Sequence, residues 1–415
     1  MAAKLKGVIL SIEDVLLNKG SVNENVFMEV RKLINFFKLR NVTPVLLANT
    51  KWTITDTNGT VKCLFGEIKK HIPEIVIFSS HLDSSIPKKP TAASTSYVLR
   101  KMQWKANEVL YIGSTDNDMR TAVNGKILFL RASWYNNNSN YGFNFSEPKQ
   151  IARFIDSLCL REHFWSHEII DGDFEFYALA PFSTYKVEFK RYSEDAREAA
   201  KFGRGHPDFW LSAIVTSMYF TGIQERIDFI TAYPGHQAGV GNDKMNDDLM
   251  TFGKCFRKGY LHDLIERHTT ALKSQTARQT GQKISHKNQL NTIRLNRLPT
   301  KNNNSKYKTP PLRNGKKVLV VDDICTRGYS LETARKYIEK TGAKTILVAW
   351  LKTINTDIET LGHLGQFDPY QNNTFKNVIH GKTYSYQKYL VDPKASEELS
   401  DQFEFFKNWD WPAGV

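Results

Sequence analysis

Two adjacent carboxylates, Asp322 and Asp323, stand a few residues before a turn that contains Thr326, Gly328 and Ser330. Backbone N–H groups at the start of a helix, together with the helix dipole, attract an anion such as a phosphate. Gly328 has no side chain, so the backbone can approach that anion closely. The two carboxylates cannot bind the same phosphate, but they suit sugar hydroxyls or a Mg²⁺ ion. A phosphate beside a diol is the chemistry of a ribose 5-phosphate.

The flanking segments are those that such a site needs. Residues 318–321 form an uninterrupted apolar run, which predicts a central strand of a parallel sheet, buried on both faces. Residues 331–340 have the spacing of an amphipathic helix. The alternative is an ordinary strand end followed by a helix cap. We prefer the ligand site because strand, acids, turn and helix occur in the required order.

Residues 320–330, with the sequence Val-Val-Asp-Asp-Ile-Cys-Thr-Arg-Gly-Tyr-Ser, resemble the phosphoribosyl diphosphate (PRPP) binding motif of type I phosphoribosyltransferases. The resemblance implies that Asp322 and Asp323 hold the ribose hydroxyls and Mg²⁺, and stabilise positive charge that develops on the ribose. It implies that the turn cradles the 5-phosphate through Thr326, Arg327, Gly328, Tyr329 and Ser330. Arg327 and Tyr329 are bulkier than the residues usual in the family.

A second loop of the same family pattern follows a predicted strand at residues 228–232. The resemblance implies that this loop binds pyrophosphate through Tyr233, Pro234, Gly235 and His236. Residues 273–288 resemble the mobile loop that closes over substrate in the ComF-like branch of the family. We expect Lys273 and Arg278 to stabilise the departing pyrophosphate there, since closure excludes water and strengthens such contacts.

The segments around these loops carry further expectations. Apolar spacing predicts a helix over residues 243–267 and strands over residues 269–272 and 288–295. Aromatic residues at 169–187 indicate either core or the hood that caps the acceptor in this family. The aromatic tail, residues 353–415, is expected to pack onto a sheet, with stacking of nucleic-acid bases or a part in the hood as alternatives.

Residues 1–158 alternate predicted strands and helices, and resemble the haloacid dehalogenase (HAD) superfamily. The positions that correspond to the HAD motifs are Ser11, Glu13, Thr50, Lys89, Ser114 and Asp118. Ser11 replaces the nucleophilic aspartate and Ser114 replaces a metal-binding acid. A serine hydroxyl needs a base to activate it, and a Mg²⁺ site needs carboxylate oxygens, so phosphatase activity is expected to be lost. A structural or partner-docking domain and a domain that binds a phosphorylated ligand at Thr50 and Lys89 both remain open.

The chain has 415 residues, which favours two domains, and we place their boundary between residues 161 and 162. The predicted fold class is α/β, with two doubly wound domains: HAD-like at residues 1–161 and phosphoribosyltransferase-like at 162–415. No signal peptide or membrane span is expected, and four widely spaced cysteines favour the reducing cytoplasm. Residues 254–317 contain 16 lysines and arginines but only two acids, which could bind nucleic acid, serve a diphosphate substrate or form a solvated face.

Together these features predict a PRPP-dependent phosphoribosyltransferase that transfers ribose 5-phosphate to a nitrogenous, nucleobase-like acceptor. The alternative is a PRPP- or nucleotide-binding regulatory protein without turnover. It would act with nucleic acid in stress or antiviral defence, the setting associated with ComF-like domains. The expected cofactor is Mg²⁺. A homo-oligomer, or a protein partner bound through the HAD-like domain, is a further expectation.

Overall fold

The computed structural model describes residues 2–19, 21–55, 59–136, 141–237, 243–272 and 285–415. Two six-stranded sheets organise the chain, each largely parallel and flanked by helices. This architecture confirms the predicted α/β fold class. No helix among the described residues combines the length and the apolarity that crossing a bilayer requires.

The first sheet has the strand order β5-β2-β1-β6-β7-β8, and every neighbouring pair is parallel. Its central strand β1 is buried at all four residues, as its uniformly apolar sequence requires. The strands of this part are β1 Gly7–Leu10, β2 Thr43–Ala48, β3 Thr53–Thr55, β4 Val61–Cys63, β5 Val76–Ser79, β6 Val109–Gly113, β7 Leu128–Ala132 and β8 Phe143–Phe145. The helices are α1 Glu24–Leu39, α2 Leu64–His71, α3 Ala92–Met102, α4 Asp116–Gly125, α5 Pro148–Phe154 and a π-helix, Ile155–Cys159.

The second sheet has the order β12-β11-β17-β18-β10-β9, with only the edge strand β9 antiparallel to its neighbour. Its strands are β9 His167–Asp171, β10 Phe174–Phe182, β11 Phe229–Ala232, β12 Gly259–Tyr260, β17 Lys317–Cys325 and β18 Lys344–Thr353. Three antiparallel strand pairs lie outside it: β13 Ile265–Arg267 with β14 Ile293–Leu295, β15 Thr300–Lys301 with β16 Ser305–Lys306, and β19 Ile358–Leu361 with β20 His380–Tyr384. The helices are α6 Val187–Phe202, α7 Pro207–Phe220, α8 Ile223–Arg226, α9 Asp243–Cys255, α10 His286–Leu290, α11 Tyr329–Glu339 and α12 Pro393–Lys407.

Several predicted elements are wrong. The helix expected over residues 243–267 ends at Cys255, because the backbone turns at Arg257 with φ at 55°. The buried residues beyond it lie in turns and in the short strands β12 and β13. Residues 269–272 are not a strand, and residues 288–295 hold the end of α10 before β14. The segment 169–187 is mostly β9 and β10, and its aromatic residues Phe174, Phe176, Tyr177 and Phe182 lie in β10, which fits the core alternative. Tyr185 lies beyond the strand and is exposed.

The two sheets pack against each other through α7. Eleven of its fourteen residues are buried, which is typical of a helix covered on all sides. Tyr219 Oη donates to the carbonyl of Val109 at 2.6 Å, and the Ala3 N–H donates to the carbonyl of Phe220 at 2.8 Å. Both bonds join the second sheet's helix to the N-terminal part of the chain.

The C-terminal tail also bridges the two parts. Trp409 is buried, and its Nε1 donates to Asp156 Oδ2 at 3.0 Å. Arg40, the residue after α1, donates to both oxygens of the same carboxylate, at 2.7 and 2.8 Å. Phe403 and Phe406 are buried as well, which confirms the expected packing for these tail aromatics.

Candidate functional site

The acid pair lies at the carboxyl end of a central strand. Strand β17 extends to Cys325, so Asp322 and Asp323 are part of it, whereas the sequence predicted a strand that ended at residue 321. Strand β17 runs between β11 and β18, with Asp322 level with Ala349 of β18. The carboxyl edge of a parallel sheet is where ligands bind in α/β folds.

Two neighbouring carboxylates disfavour each other's charge. Asp322 and Asp323 are both half-buried, and Asp322 Oδ1 accepts the Asp323 N–H at 2.9 Å. Burial, and then the charge of Asp323, raise the pKa of Asp322 well above its usual range. A bound cation or a set of hydroxyl donors would relieve this repulsion.

The turn after the acids leads into a helix whose N-terminus suits an anion. Gly328 has φ at 77° and precedes the first residue of α11. The first helical hydrogen bond runs from the Glu332 N–H to the Gly328 carbonyl at 2.8 Å. The N–H groups of Tyr329, Ser330 and residue 331 precede that bond, so they have no acceptor within the helix.

Glu332, an acid in the first turn of α11, is neutralised by Arg335. Glu332 is buried and accepts Arg335 Nη2 at Oε1 and Arg335 Nε at Oε2, at 2.7 and 2.6 Å. Glu332 Oε1 also accepts the Leu361 N–H of β19 at 2.7 Å. The carboxylate therefore ties α11 to the β19–β20 hairpin instead of repelling an anion at the helix start.

The two bulky turn residues have a shared partner that the sequence prediction missed. The Arg327 guanidinium forms an ion pair with Glu359 of β19, and Tyr329 Oη donates to Glu359 Oε2 at 2.9 Å. The Glu359 N–H donates in turn to the Arg327 carbonyl at 3.1 Å. The hairpin thus fixes the outer side of the turn. Glu359 lies 29 residues beyond Ser330, so no local pattern could have identified it.

A buried lysine supports the turn from the neighbouring strand. Lys352 of β18 is 1% exposed, and its Nζ donates to the Thr326 carbonyl at 2.6 Å and to Thr356 Oγ1 at 2.7 Å. Burial lowers the pKa of this ammonium group. The Thr326 and Thr353 hydroxyls are also 3.0 Å apart. The turn is therefore tied to the end of β18, and the sequence analysis did not single out Lys352.

The second predicted loop lies on the other side of β17 and is held by a buried arginine. Arg267 Nε donates to the Gly235 carbonyl at 2.5 Å, and Arg267 Nη2 donates to Gln289 Oε1 at 2.9 Å. Tyr233 Oη donates to the same Gln289 oxygen at 2.9 Å. Burial raises the pKa of Tyr233 to about 12, although Arg267 and Ser330 oppose that shift. Tyr233 therefore lies close to Ser330 at the start of α11.

The remaining predicted residues of this loop are only partly described. Pro234 and His236 are half-buried, and the His236 carbonyl accepts the Ala271 N–H at 2.9 Å. Lys273 and Arg278 lie outside the described residues, as does most of the loop at 273–288. The sequence analysis missed Arg267 because it fell within the helix predicted over residues 243–267.

The HAD-like residues meet in a separate cleft of about 140 Å³ at the carboxyl edge of the first sheet. Lys89 Nζ lies 2.7 Å from Asp118 Oδ1 and 3.0 Å from Ser11 Oγ. Glu13 and Thr50 line the same cleft. Ser114 is buried beside it, and its N–H donates to Asp118 Oδ2 at 3.2 Å.

Lys89 and Asp118 form an ion pair in this cleft. Burial opposes the charge of Asp118, but Lys89, Ser11 and Thr115 outweigh it and lower the pKa of this carboxyl group. Burial and the nearby Asp14 and Asp118 raise the pKa of Glu13. Asp118 is therefore committed to Lys89, and Lys89 Nζ also donates to Ser11 Oγ.

Comparison with known proteins supports the assignment of the second sheet. Residues 269–357 match the family model of the phosphoribosyl transferase domain, which confirms the predicted domain type for that segment. The segment includes Asp322, Asp323 and the whole phosphate turn. No curated protein matches the chain at a significant level.

Solved structures give distant similarities. A putative HAD family hydrolase from Streptomyces avermitilis is 11% identical, covering 31% of this chain and 68% of that chain, with a TM-score of 0.22. A HAD-superfamily hydrolase from Geobacter sulfurreducens is 12% identical over 36% of this chain and 98% of that chain, with a TM-score of 0.23. UMP synthase from Leishmania donovani is 10% identical over 83% of this chain and 85% of that chain, with a TM-score of 0.21.

Proposed function

We propose that this protein is a PRPP-dependent phosphoribosyltransferase that moves ribose 5-phosphate onto a nitrogen nucleophile and releases pyrophosphate. The observation that carries the proposal is the order of groups along β17 and α11. Two carboxylates lie at the carboxyl edge, and a glycine with positive φ then opens a helix whose first N–H groups point outward from its start. The phosphoribosyl transferase match over residues 269–357 supports the same assignment.

The acid pair also suits Mg²⁺. Carboxylate oxygens are its preferred protein ligands, and Mg²⁺ usually takes only one or two of them together with substrate phosphates and water. The repulsion that raises the pKa of Asp322 is what a divalent cation would offset. When bound, Mg²⁺ would neutralise charge on the diphosphate. Within the described residues no larger cluster of acids, histidines or cysteines offers an alternative metal site.

The chain's own groups would act at three places around the substrate. The N–H groups at the start of α11, with the hydroxyls of Thr326 and Ser330, would hold the 5-phosphate. Asp322 and Asp323 would orient the ribose hydroxyls and stabilise positive charge on the ring. The loop at residues 233–236, held by Arg267, would receive the pyrophosphate.

The transfer needs only PRPP and the nitrogenous acceptor as reactants. The bond between ribose C1 and the diphosphate oxygen breaks, and pyrophosphate leaves with the electron pair. The nitrogen of the acceptor forms the new bond to C1 and loses its proton. We propose a nucleobase-like heterocycle or amide as the acceptor, and Lys273 and Arg278 as cations that assist the departing pyrophosphate.

For the HAD-like cleft we propose no aspartyl-phosphate chemistry. Ser11 occupies the position of the nucleophile, and its neighbour Lys89 is in an ion pair with Asp118. A hydroxyl without a base is a poor nucleophile at neutral pH.

Isothermal titration with Mg²⁺ and PRPP tests the proposal. We expect binding heat from the wild-type protein and none from the Asp322→Asn/Asp323→Asn variant. The control Glu397→Gln/Asp401→Asn removes the same two charges from the exposed face of α12 and should bind like the wild type. Equal heat from wild type and from the Asp322/Asp323 variant would refute the site.

A screen of nitrogen heterocycles, with pyrophosphate release as the readout, then separates catalysis from binding alone. Release that depends on one acceptor supports the transferase. Tight binding of PRPP without release in the presence of any acceptor would favour the regulatory alternative.

A further inference from the structure

Several cations of the basic run at residues 254–317 lie at the edge of the second sheet that is opposite the acid pair. Parallel strands place all their amino ends at one edge and their carboxyl ends at the other. Lys258 immediately precedes β12, and Lys316 immediately precedes β17. Asp322 and Asp323 are at the far end of β17. These lysines therefore cannot contact a diphosphate that is bound at the carboxyl edge.

The β15–β16 hairpin adds cations to the same amino edge. Tyr260 of β12 exchanges two hydrogen bonds with Asn302 at the hairpin tip, each of 2.9 Å. Just beyond β16, the ring of Tyr307 packs edge-on against Phe229, the first residue of β11, with centroids 6.2 Å apart. These contacts place the exposed Lys301, Lys306 and Lys308 beside the start of the edge strands.

The HAD-like part extends this positive region. Arg257 donates a hydrogen bond to Asn124 Oδ1 near the end of α4, and Lys126 follows two residues later. Burial lowers the pKa of Lys258, and the nearby Lys126 and Lys316 lower it further. Cations from both parts of the chain are therefore crowded together. We name this set the amino-edge basic surface: Lys126, Arg257, Lys258, Lys301, Lys306 and Lys308.

The acids of this edge are largely used by other cations. Asp228 pairs with Lys316 at 2.8 Å, and Asp173 pairs with Lys344 at 2.7 Å. Glu175 pairs with Arg226 and lies 3.6 Å from Lys317. None of the six residues of the amino-edge basic surface forms an ion pair with a described acid, and the exposed Glu225 is the unpaired acid near Lys258.

We propose that the amino-edge basic surface binds the phosphate backbone of a nucleic acid. A cluster of unpaired cations on a rigid edge has the charge complementarity that such a polyanion needs. The surface faces away from the acid pair, so it is a second site that functions independently of PRPP.

Fluorescence anisotropy with labelled single-stranded RNA and with duplex DNA tests this inference, using the full chain across a salt series. We expect the logarithm of the affinity to fall linearly with the logarithm of salt concentration for at least one of the two probes. The Lys301→Glu/Lys306→Glu variant should weaken that binding by about tenfold or more at low salt, because lost contacts add to new repulsion. The control Lys69→Glu/Lys101→Glu makes the same charge change on exposed residues of α2 and α3 and should have a much smaller effect.

Three outcomes would overturn the inference: no salt-dependent binding of either probe, equal weakening in both double variants, or competition by polyglutamate as effective as that by RNA. The last outcome would assign the surface to an acidic protein. The Asp322→Asn/Asp323→Asn variant should keep its nucleic-acid affinity while losing PRPP binding. The experiment therefore tests the PRPP site and the amino-edge basic surface independently.

Discussion

Replacing Asp322 with asparagine should make the free protein more stable while it abolishes PRPP binding. Asp322 is half-buried beside Asp323, and burial and that neighbour raise its pKa well above the usual range. The folded state therefore resists ionisation of Asp322, whereas the unfolded chain ionises it at about pH 4. Stability is lost as pH rises through the raised pKa, so the ionised form of Asp322 is a cost to the fold.

The size of the effect follows from the repulsion between adjacent carboxylates. For two unit charges about 5 Å apart, Coulomb's law gives about 2–3 kcal/mol at an effective dielectric of about 20–40. Asparagine removes this repulsion and keeps an oxygen that can accept the Asp323 N–H. A gain of about 2 kcal/mol would raise Tm by about 4–8 °C for a domain of this size.

Thermal unfolding of the wild type, of Asp322→Asn and of the exposed control Asp401→Asn should be compared at mildly acidic and at mildly alkaline pH. We expect the wild type to lose stability relative to Asp322→Asn as pH rises, and the control to follow the wild type. Addition of Mg²⁺ and PRPP should raise Tm for the wild type and the Asp401→Asn control but not for Asp322→Asn, since ligand binding stabilises the state that binds it. A destabilised Asp322→Asn variant, or identical pH profiles for it and the wild type, would refute the reasoning.

Three further substitutions probe the supports of the two sites. Arg267→Met removes the donor to the Gly235 carbonyl and should raise the KM for PRPP at least about tenfold. It should also lower the free energy of unfolding by about 1–3 kcal/mol, because oxygens that accepted from Arg267 are left unpaired. An unchanged KM in a kinetic titration would contradict this role. Gly328→Ala places a side chain at a residue with positive φ, where its Cβ would lie 3.0 Å from a neighbouring atom. The substitution should lower the free energy of unfolding by about 1–2 kcal/mol, measured by denaturation, and should weaken PRPP binding, measured by calorimetry. Wild-type values in both measurements would argue against the tight turn. Lys89→Met leaves Asp118 buried without its partner and should destabilise by about 3–5 kcal/mol while PRPP affinity stays unchanged; a loss below about 1 kcal/mol would mean that the ion pair does not hold this cleft together.

The turn at residues 326–330 could be predicted because the sequence pattern that indicates it is local. The acids, Gly328 and the helix that follows are contiguous in the chain, so strand, turn and helix preferences agree with one another. The HAD-like residues Ser11, Lys89 and Asp118 come from distant segments. They were nevertheless predicted to lie together, because parallel strands end at one edge and the superfamily's motif order was visible.

The residues that hold the turn could not be predicted in the same way. Glu359 contacts Arg327 and Tyr329 only because the β19–β20 hairpin folds back over the start of α11. Lys352 ends a run of apolar strand residues, and nothing in the sequence indicates that its Nζ turns toward Thr326. Such contacts depend on tertiary packing, which single-sequence patterns do not encode.

The error at residues 243–267 has a different origin. Phe256, Leu261 and Ile265 continue an apolar spacing that fits a helix, and they are indeed buried. They are buried in turns and short strands, because burial alone does not distinguish a helix from a tightly folded chain segment. The sequence alone also did not decide the role of the basic run at residues 254–317. The separation of Lys258 and Lys316 from the acid pair follows only from the direction of the strands.

A crystal structure of the protein with Mg²⁺ and PRPP would test the central claim most directly. We predict the 5-phosphate at the start of α11, within hydrogen-bonding distance of the Ser330 N–H and the Thr326 hydroxyl. The ribose hydroxyls should face Asp322 and Asp323, and the diphosphate should lie toward Gly235. Density for PRPP in the Lys89 cleft instead, or a phosphate turn that stays empty at saturating ligand, would contradict the account.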